Sequence, residues 1–261
     1  MAITGDTLAS IALDAGKLIM EIYEGDFDFS RKGDDSPVTL ADEKAEALIL
    51  KALAEADPDL KVIAEEAMAA GEMPEHGARF ALVDPLDGTK EFINRNTDFT
   101  VNIALVRDGT PEVGVVYAPC TGRFFSGRPG RAELVELNEA GEIAGRRPIR
   151  VRAGAAPLTI VASRSHRTPE TDDFIGQFEA AEIVSVGSSL KFCLVANGEA
   201  DIYPRFGRTM EWDTAAGHAV LKGAGGEVVR FDNHEPLTYG KPIYENPFFI
   251  AYAPGVELKS A

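Results

Sequence analysis

The sequence predicts an α/β protein on three observations. Two amphipathic helical stretches open the chain, apolar runs of strand length follow them, and strand and helix patterns alternate through the second half. With 261 residues, 45% of them hydrophobic, the chain can bury one sizeable core or two packed subdomains.

Taken in order, Leu8, Ile11, Ala12, Ala15, Leu18, Ile19 and Ile22 fall at helical spacing, and Gly25 ends that helix. Ser30-Arg31-Lys32-Gly33-Asp34-Asp35-Ser36-Pro37 is polar and reads as a loop. A second helix carries Ala45, Leu48, Ile49, Ala52, Leu53 and Ala56 on one face and closes at Asp57-Pro58. Strands are expected over Leu60–Ala64, Arg79–Val83, Thr100–Val106 and Val113–Tyr117, with shorter ones near Phe124 and Leu134. Gly141 to Pro148, rich in Gly, Arg and Pro, is the expected boundary between subdomains 1–150 and 151–261. Beyond it, strands at Leu158–Ser163, Ile183–Val186 and Ala200–Tyr203 alternate with helices at Pro169–Phe178, Ser188–Asn197 and Trp212–Lys222.

The formal charge of −16 argues against DNA, RNA or an anionic membrane as partner. A small anionic substrate is still compatible, because bound cations and a few local Lys and Arg residues invert the field within one cleft. Two cysteines, Cys120 and Cys193, are too few for a disulfide framework and suit reduced thiols in a cytosolic protein. The first residues carry no signal-peptide pattern, and no apolar run is long enough to span a bilayer.

Acidic residues stand where the predicted strands end. Glu65-Glu66 follows Val62-Ile63-Ala64, Asp84-Pro85-Leu86-Asp87-Gly88-Thr89 follows Phe80-Ala81-Leu82-Val83, and Asp213 follows Trp212 at the start of a predicted helix. Strand ends are where ligands of α/β folds bind. Pro85 is expected to stop pairing and turn the chain, so that Asp84 and Asp87 point at one small volume with the Leu86 carbonyl between them. Such hard oxygen ligands suit Mg²⁺, and a cation relieves the repulsion of two close carboxylates. Gly88 and Thr89 would then start a helix whose N–H groups suit a phosphate. The plainer alternative is an Asp-Pro turn with Asp87 as an N-cap. An aspartyl nucleophile of the Asp-x-Asp-Gly-Thr kind is disfavoured, since two residues, not one, separate Asp84 from Asp87. His166 and His218 have no metal-ligand spacing to a second His or Cys, which argues against zinc.

These motifs, in this order and ending in Trp212-Asp213-Thr214-Ala215-Ala216-Gly217, resemble the inositol monophosphatase superfamily of Mg²⁺-dependent, lithium-sensitive phosphatases. Lys90-Glu91-Phe92-Ile93, Ser163-Arg164-Ser165-His166, Gly187 to Ala196 and Ala200 to Arg205 are most similar to its bacterial 3′(2′),5′-bisphosphate nucleotidase branch. The resemblance implies a layered α/β/α/β/α sandwich. It also implies hydrolysis of adenosine 3′,5′-bisphosphate, a by-product of sulfate assimilation, to AMP by metal-activated water. It makes Glu65, Asp84, Asp87 and Asp213 side-chain ligands, and Leu86 a carbonyl ligand, of two or three Mg²⁺ ions. Asp42 is expected to pair with Thr89, which orients the attacking water; a capping box of Thr39 with Asp42 is compatible with this. Glu65 joins Asp42 and Thr89 as a catalytic residue. Glu65, Leu86, Asp87, Gly88, Thr89 and Asp213 are expected against the substrate phosphate. His166, Ser188, Lys191 and Arg205 are expected on the nucleotide and its second phosphate. For Ser188 and Lys191 the plain alternative is an N-cap and a surface charge. The implied protein is cytoplasmic, with a homodimer and peripheral contact with the inner membrane as admissible variants. Two other functions compete: an inositol phosphate or fructose 1,6-bisphosphate phosphatase of the same family, and a non-catalytic module binding Mg²⁺ and nucleotide.

Overall fold

The computed structural model describes residues 3–25, 29–31, 37–164 and 167–259. The first helical pattern forms α1 (Gly5–Glu24), whose start is held by the Thr4 hydroxyl accepting the Thr7 N–H. Short strands β1 (Phe29–Arg31) and β2 (Pro37–Thr39) pair antiparallel, so both flanks of the stretch read as a loop are strand. Residues 32–36 of that loop lie outside the described residues. The second helical pattern forms α2 (Leu40–Ala56).

Next come β3 (Lys61–Ala64), α3 (Glu65–Ala69), β4 (Arg79–Asp87) and α4 (Thr89–Ile93). The strands β5 (Thr100–Arg107), β6 (Thr110–Ala118), β7 (Arg123–Arg128), β8 (Arg131–Leu137) and β9 (Ile143–Ile149) follow as a meander. All seven strands from β3 to β9 form one sheet in sequence order, with β3 and β4 parallel and the remaining pairs antiparallel. Leu8, Ile19, Ile49 and Leu53 of α1 and α2 pack on one face, against Val83, Val101, Ile103 and Val115. Each such fully buried Leu or Ile contributes about 1.5–3 kcal/mol.

The second half supplies β10 (Leu158–Ser163), α5 (Pro169–Ile175), β11 (Ala180–Val186), α6 (Leu190–Ala196), β12 (Ile202–Arg205), α7 (Ala215–Gly223), β13 (Glu227–Arg230) and β14 (Phe249–Tyr252). Its five strands lie in the order β11-β10-β12-β14-β13. Every residue of α6 is buried, because α6 and α7 lie between the two sheets. α7 comes so close to β7 that a Cβ on Gly127 would stand 2.3 Å from Val220 Cα; only glycine fits there. Phe174 and Ile175 of α5 cover the outer face of the smaller sheet. The layers are therefore α/β/α/β/α.

The structure corrects several expectations. Gly141 to Pro148, expected as the boundary, is not loop: it contains most of β9, the last and edge strand of the larger sheet. β9 is mostly solvent-exposed, and Arg146, Arg147 and Pro148 are residues an edge tolerates and a central strand does not, so its composition mimics a loop. Nor does Pro85 end its strand. β4 pairs Asp84 with Asn102 and then Asp87 with Thr100, so one extra residue is absorbed as a bulge. The helices expected from Ser188 and Trp212 begin later, at Leu190 and Ala215. Ser188 has a positive φ of 50° and precedes the cap residue Ser189. Among the described residues no helix is long and apolar enough to cross a membrane.

Candidate active site

The site begins at the bulge of β4. Asp84 is 1% exposed, and its Oδ1 accepts the Leu86 N–H at 3.0 Å. The chain leaves the strand through Gly88, at φ 101°, where a Cβ would meet the Asp98 carbonyl at 3.1 Å. This turn carries Thr89 against α2. Thr89 Oγ1 stands 2.9 Å from Asp42 Oδ1, to which it donates, and 3.3 Å from the Leu86 carbonyl. Asp42 Oδ2 accepts the N–H and the O–H of Thr39, at 2.8 and 2.6 Å. The capping box and the Thr89 pairing thus coexist, one on each oxygen of Asp42. Burial raises the Asp42 carboxyl above the usual range, against the pull of the Thr39 and Thr89 donors.

Glu65 is the first residue of α3, directly after Ala64, whose partner in the parallel ladder is Val83. The parallel register therefore delivers Glu65, just past the end of β3, and Asp84, at the bulge of β4, side by side. Asp213 arrives from the middle layer, in the turn before α7, with its Oδ2 accepting the Met210 N–H at 2.9 Å. Crowding among these acids opposes the ionisation of Asp84 and Asp213. Asp84 is held well above the ordinary carboxylate range, first by burial and then by Glu65, Asp87 and Asp213. Burial, Asp87 and Glu65 push Asp213 up to about 8. Asp87 is raised by burial, while the Lys191 charge pulls it back.

Cations line the other side. Lys191, on α6, is 5% exposed; burial lowers it to about 8 although Asp87 favours its charge. Its Nζ donates to the Ser188 carbonyl, so Lys191 and Ser188 do meet. Arg205 ends β12 and donates to the Arg208 carbonyl at 2.8 Å. Lys191, Arg205, Ser188, Glu65, Asp87 and Asp213 share one cavity of about 410 Å³. Gly88 and Thr89 line it too, and Met68, Tyr203, Met210 and Trp212 furnish its apolar wall. His166 lies outside the described residues. His218 is remote in role: it is buried with Nδ1 3.0 Å from the Tyr239 hydroxyl.

Two polar residues that the sequence did not single out join this arrangement. Asn102, fully buried on β5, donates from Nδ2 to Asp87 Oδ2 at 3.3 Å and to Ser189 Oγ at 3.0 Å. Ser189 Oγ in turn donates to the Asp213 carbonyl at 2.5 Å. Asn102 and Ser189 thereby tie the Asp87 strand to the Asp213 turn across the two halves of the chain. The one available signal was a lone amide inside the apolar run Thr100–Val106.

Among the described residues no three His, Cys, Asp or Glu side chains stand close enough to enclose a metal ion as they are. The donor chemistry nevertheless fits a hard divalent cation. Glu65, Asp84, Asp87 and Asp213 offer only carboxylate oxygen, and Glu65, Asp87 and Asp213 each disfavour the ionisation of a neighbouring acid, which is the field a bound cation relieves.

The model of the inositol monophosphatase family matches residues 5–253. The chain belongs to the inositol monophosphatase family. Within the family it is 46% identical over 225 residues to the 3′(2′),5′-bisphosphate nucleotidase CysQ of Salmonella typhimurium, covering 85% of this chain and 89% of that one. It is 44% identical over 247 residues to CysQ of Escherichia coli K12, covering 94% and 97%. The crystal structure of CysQ from Bacteroides thetaiotaomicron superposes with a TM-score of 0.80 at 39% identity, covering 97% of both chains.

Proposed function

We propose that this protein is a Mg²⁺-dependent 3′(2′),5′-bisphosphate nucleotidase that hydrolyses adenosine 3′,5′-bisphosphate to AMP and phosphate. One observation carries this reading: a single cavity opposes the carboxylates of Glu65, Asp87 and Asp213 to the buried cations Lys191 and Arg205. A substrate with two phosphates needs both halves, one for the phosphate being cleaved and one for the phosphate that stays. The names and the 44–46% identity of the CysQ relatives support the same substrate class.

Glu65, Asp84, Asp87, Asp213 and the Leu86 carbonyl would hold two or three Mg²⁺ ions. Bound there, Mg²⁺ supplies positive charge to the phosphate oxygens and electrophilic activation to a water. The chain's own residues do the rest. Asp42 accepts the Thr89 proton, so the Thr89 oxygen faces the cavity as an acceptor and orients the attacking water. Gly88, at positive φ and packed against Asp98 and Phe99, makes the turn that brings Thr89 to the cavity wall. Water attacks phosphorus opposite the ester oxygen, the P–O bond to the ribose breaks, and the ribose oxygen takes a proton, leaving a hydroxyl and inorganic phosphate. Lys191 and Arg205 hold the second phosphate, with Ser188 beside Lys191, and the apolar wall takes the nucleoside.

The test is phosphate release from adenosine 3′,5′-bisphosphate, inositol 1-phosphate and fructose 1,6-bisphosphate at matched ionic strength, with and without chelator. The bisphosphate nucleotide is expected to have the highest kcat/KM, and chelation is expected to abolish turnover of all three. Preference for inositol 1-phosphate would overturn the substrate, and full turnover after chelation would overturn the metal. Binding of nucleotide with no phosphate release would leave only a binding module.

A further inference from the structure

The first turn of α3 carries Glu65, and α3 has no side-chain cap of its own at that end. Its N-cap residue is Ala64, which has no side-chain oxygen to cap with, and none of the five helical residues is fully buried. The cap comes from another helix. Glu46 Oε2 accepts the N–H of Glu66 at 2.8 Å, and Glu46 Oε1 accepts the N–H of Ala67 at 2.8 Å. Glu46 is 5% exposed and stands on α2, one turn beyond Asp42. Placing a carboxylate on the buried face of a helix is costly unless its oxygens are satisfied. Here each oxygen takes a backbone N–H, and the negative charge sits at the positive end of α3. The face of α2 turned to the site thus bears two buried carboxylates. Asp42 fixes Thr89, and Glu46 grips the turn that begins with Glu65.

We propose that Glu46 is a positioning residue of the metal site: it anchors the first turn of α3 and thereby sets where Glu65 stands relative to Asp84. The inference rests on the reading of Glu65 as a metal ligand. Both bonds run to backbone N–H groups, so no side-chain change within α3 can replace them. A shift of α3 by a fraction of a turn would carry Glu65 away from the β4 bulge that presents Asp84.

The experiment is Mn²⁺ binding to the full chain, measured calorimetrically without substrate, alongside thermal unfolding. Glu46→Ala is expected to raise the Mn²⁺ Kd about tenfold, as loss of a partner that orients a ligand does. Glu46→Gln keeps one acceptor oxygen and is expected to fall between. In a Glu65→Ala background, Glu46→Ala is expected to change the Kd by less than about twofold, because two residues acting through one contact are not additive. An unchanged Kd in Glu46→Ala overturns the proposal. Equal fold-changes in both backgrounds also overturn it, since Glu46 would then only hold the fold. Leu53→Ala, a core truncation on the same helix, controls for lost stability; if it weakens Mn²⁺ binding as much as Glu46→Ala does, the proposal falls. Should Glu46→Ala not fold, Glu46→Gln in both backgrounds is judged by the same criteria. An unchanged Kd in Glu65→Ala alone would remove Glu65 from the ligands, and the inference with it. A loss there with none in Glu46→Ala would reject the inference alone.

Discussion

Glu211 and Asp213 flank Trp212, and the fold treats their carboxylates in opposite ways. Glu211 is fully buried and fully occupied: Gly240 N–H at 2.7 Å, Lys241 N–H at 3.0 Å and the Lys241 ammonium at 2.6 Å. Asp213 faces the cavity with the Met210 N–H on one oxygen, while Asp87 and Glu65 push against its charge. Asp84 is worse placed still, with one backbone N–H and three acidic neighbours. A buried carboxylate with its own donors and counter-charge is architecture. Buried carboxylates gathered against one another hold free energy that a bound metal ion or a proton releases.

The sharpest way to break this contrast is to neutralise one crowded acid. Asp84→Asn is expected to cost at least about a thousandfold in kcat, since loss of a single electrostatic partner at a transition state already costs about 10²–10³. The Tm of its metal-free form should not fall, because a charge that opposes its neighbours has gone. Near wild-type turnover, measured by phosphate release, would reduce Asp84 to a structural residue.

Lys191→Ala and Arg205→Ala test the cationic side. A charge-assisted phosphate contact contributes roughly 1.5–3 kcal/mol, so kcat/KM for adenosine 3′,5′-bisphosphate should drop about ten- to a hundredfold. The drop for a small monophosphate should be much less at the same ionic strength. Equal losses on both substrates would mean that these cations shape the general field instead of gripping a second phosphate.

Glu211→Ala is the counterpart on the satisfied acid. Breaking a buried pair costs about 3 kcal/mol, which in a chain of this size lowers Tm by roughly 5–10 °C. Calorimetric unfolding with and without Mg²⁺ should show the same drop, since Glu211 belongs to no metal site.

The smallest effect is the pH dependence of the metal-free protein. Asp84 and Asp213 have folded pKa values above the ordinary carboxylate value of 3.8, with Asp213 near 8. Their contribution to stability is complete below the ordinary value and is lost as pH rises through the folded one. His218, lowered from 6.5 to about 3, works in the opposite direction but only below 6.5, and Lys191, lowered from 10.5 to about 8, opposes the fall in part only as pH nears 8. Between pH 6.5 and 8, Tm is therefore expected to fall by a few degrees without metal and to hold steady with saturating Mg²⁺. A metal-free Tm that rises over this window would show that the acids do not oppose one another.

The chemistry was legible in the sequence wherever it was local. Asp84 to Thr89 is one bulge and one turn, and the Thr39–Asp42 capping box closes within a single helical turn. Such features depend on near neighbours, so order and spacing suffice to expose them. Amphipathic spacing likewise revealed α1 and α2, whose apolar stripes face one sheet. Edge strand β9 was hidden, because an exposed edge selects charge and proline as a loop does. β13 and β14 were missed as well; each is four residues long and leaves little periodicity to read.

By itself, then, the sequence determined which acids follow the apolar strand runs, which cations follow Gly187-Ser188, and, through the family resemblance, the layered class that presents them. Tertiary structure alone decided how they meet. Asn102 reaches Ser189 across 87 positions, and Glu46 caps a helix that begins 19 residues after it; the Thr89–Asp42 pair, 47 positions apart, was expected only through the family resemblance. Those contacts follow from sheet register and helix packing, which bring distant residues within hydrogen-bonding distance once the apolar faces are buried. Nothing in the local spacing of a chain encodes a partner that far away, and so the carboxylates could be named before folding was known, but not the donors that orient them.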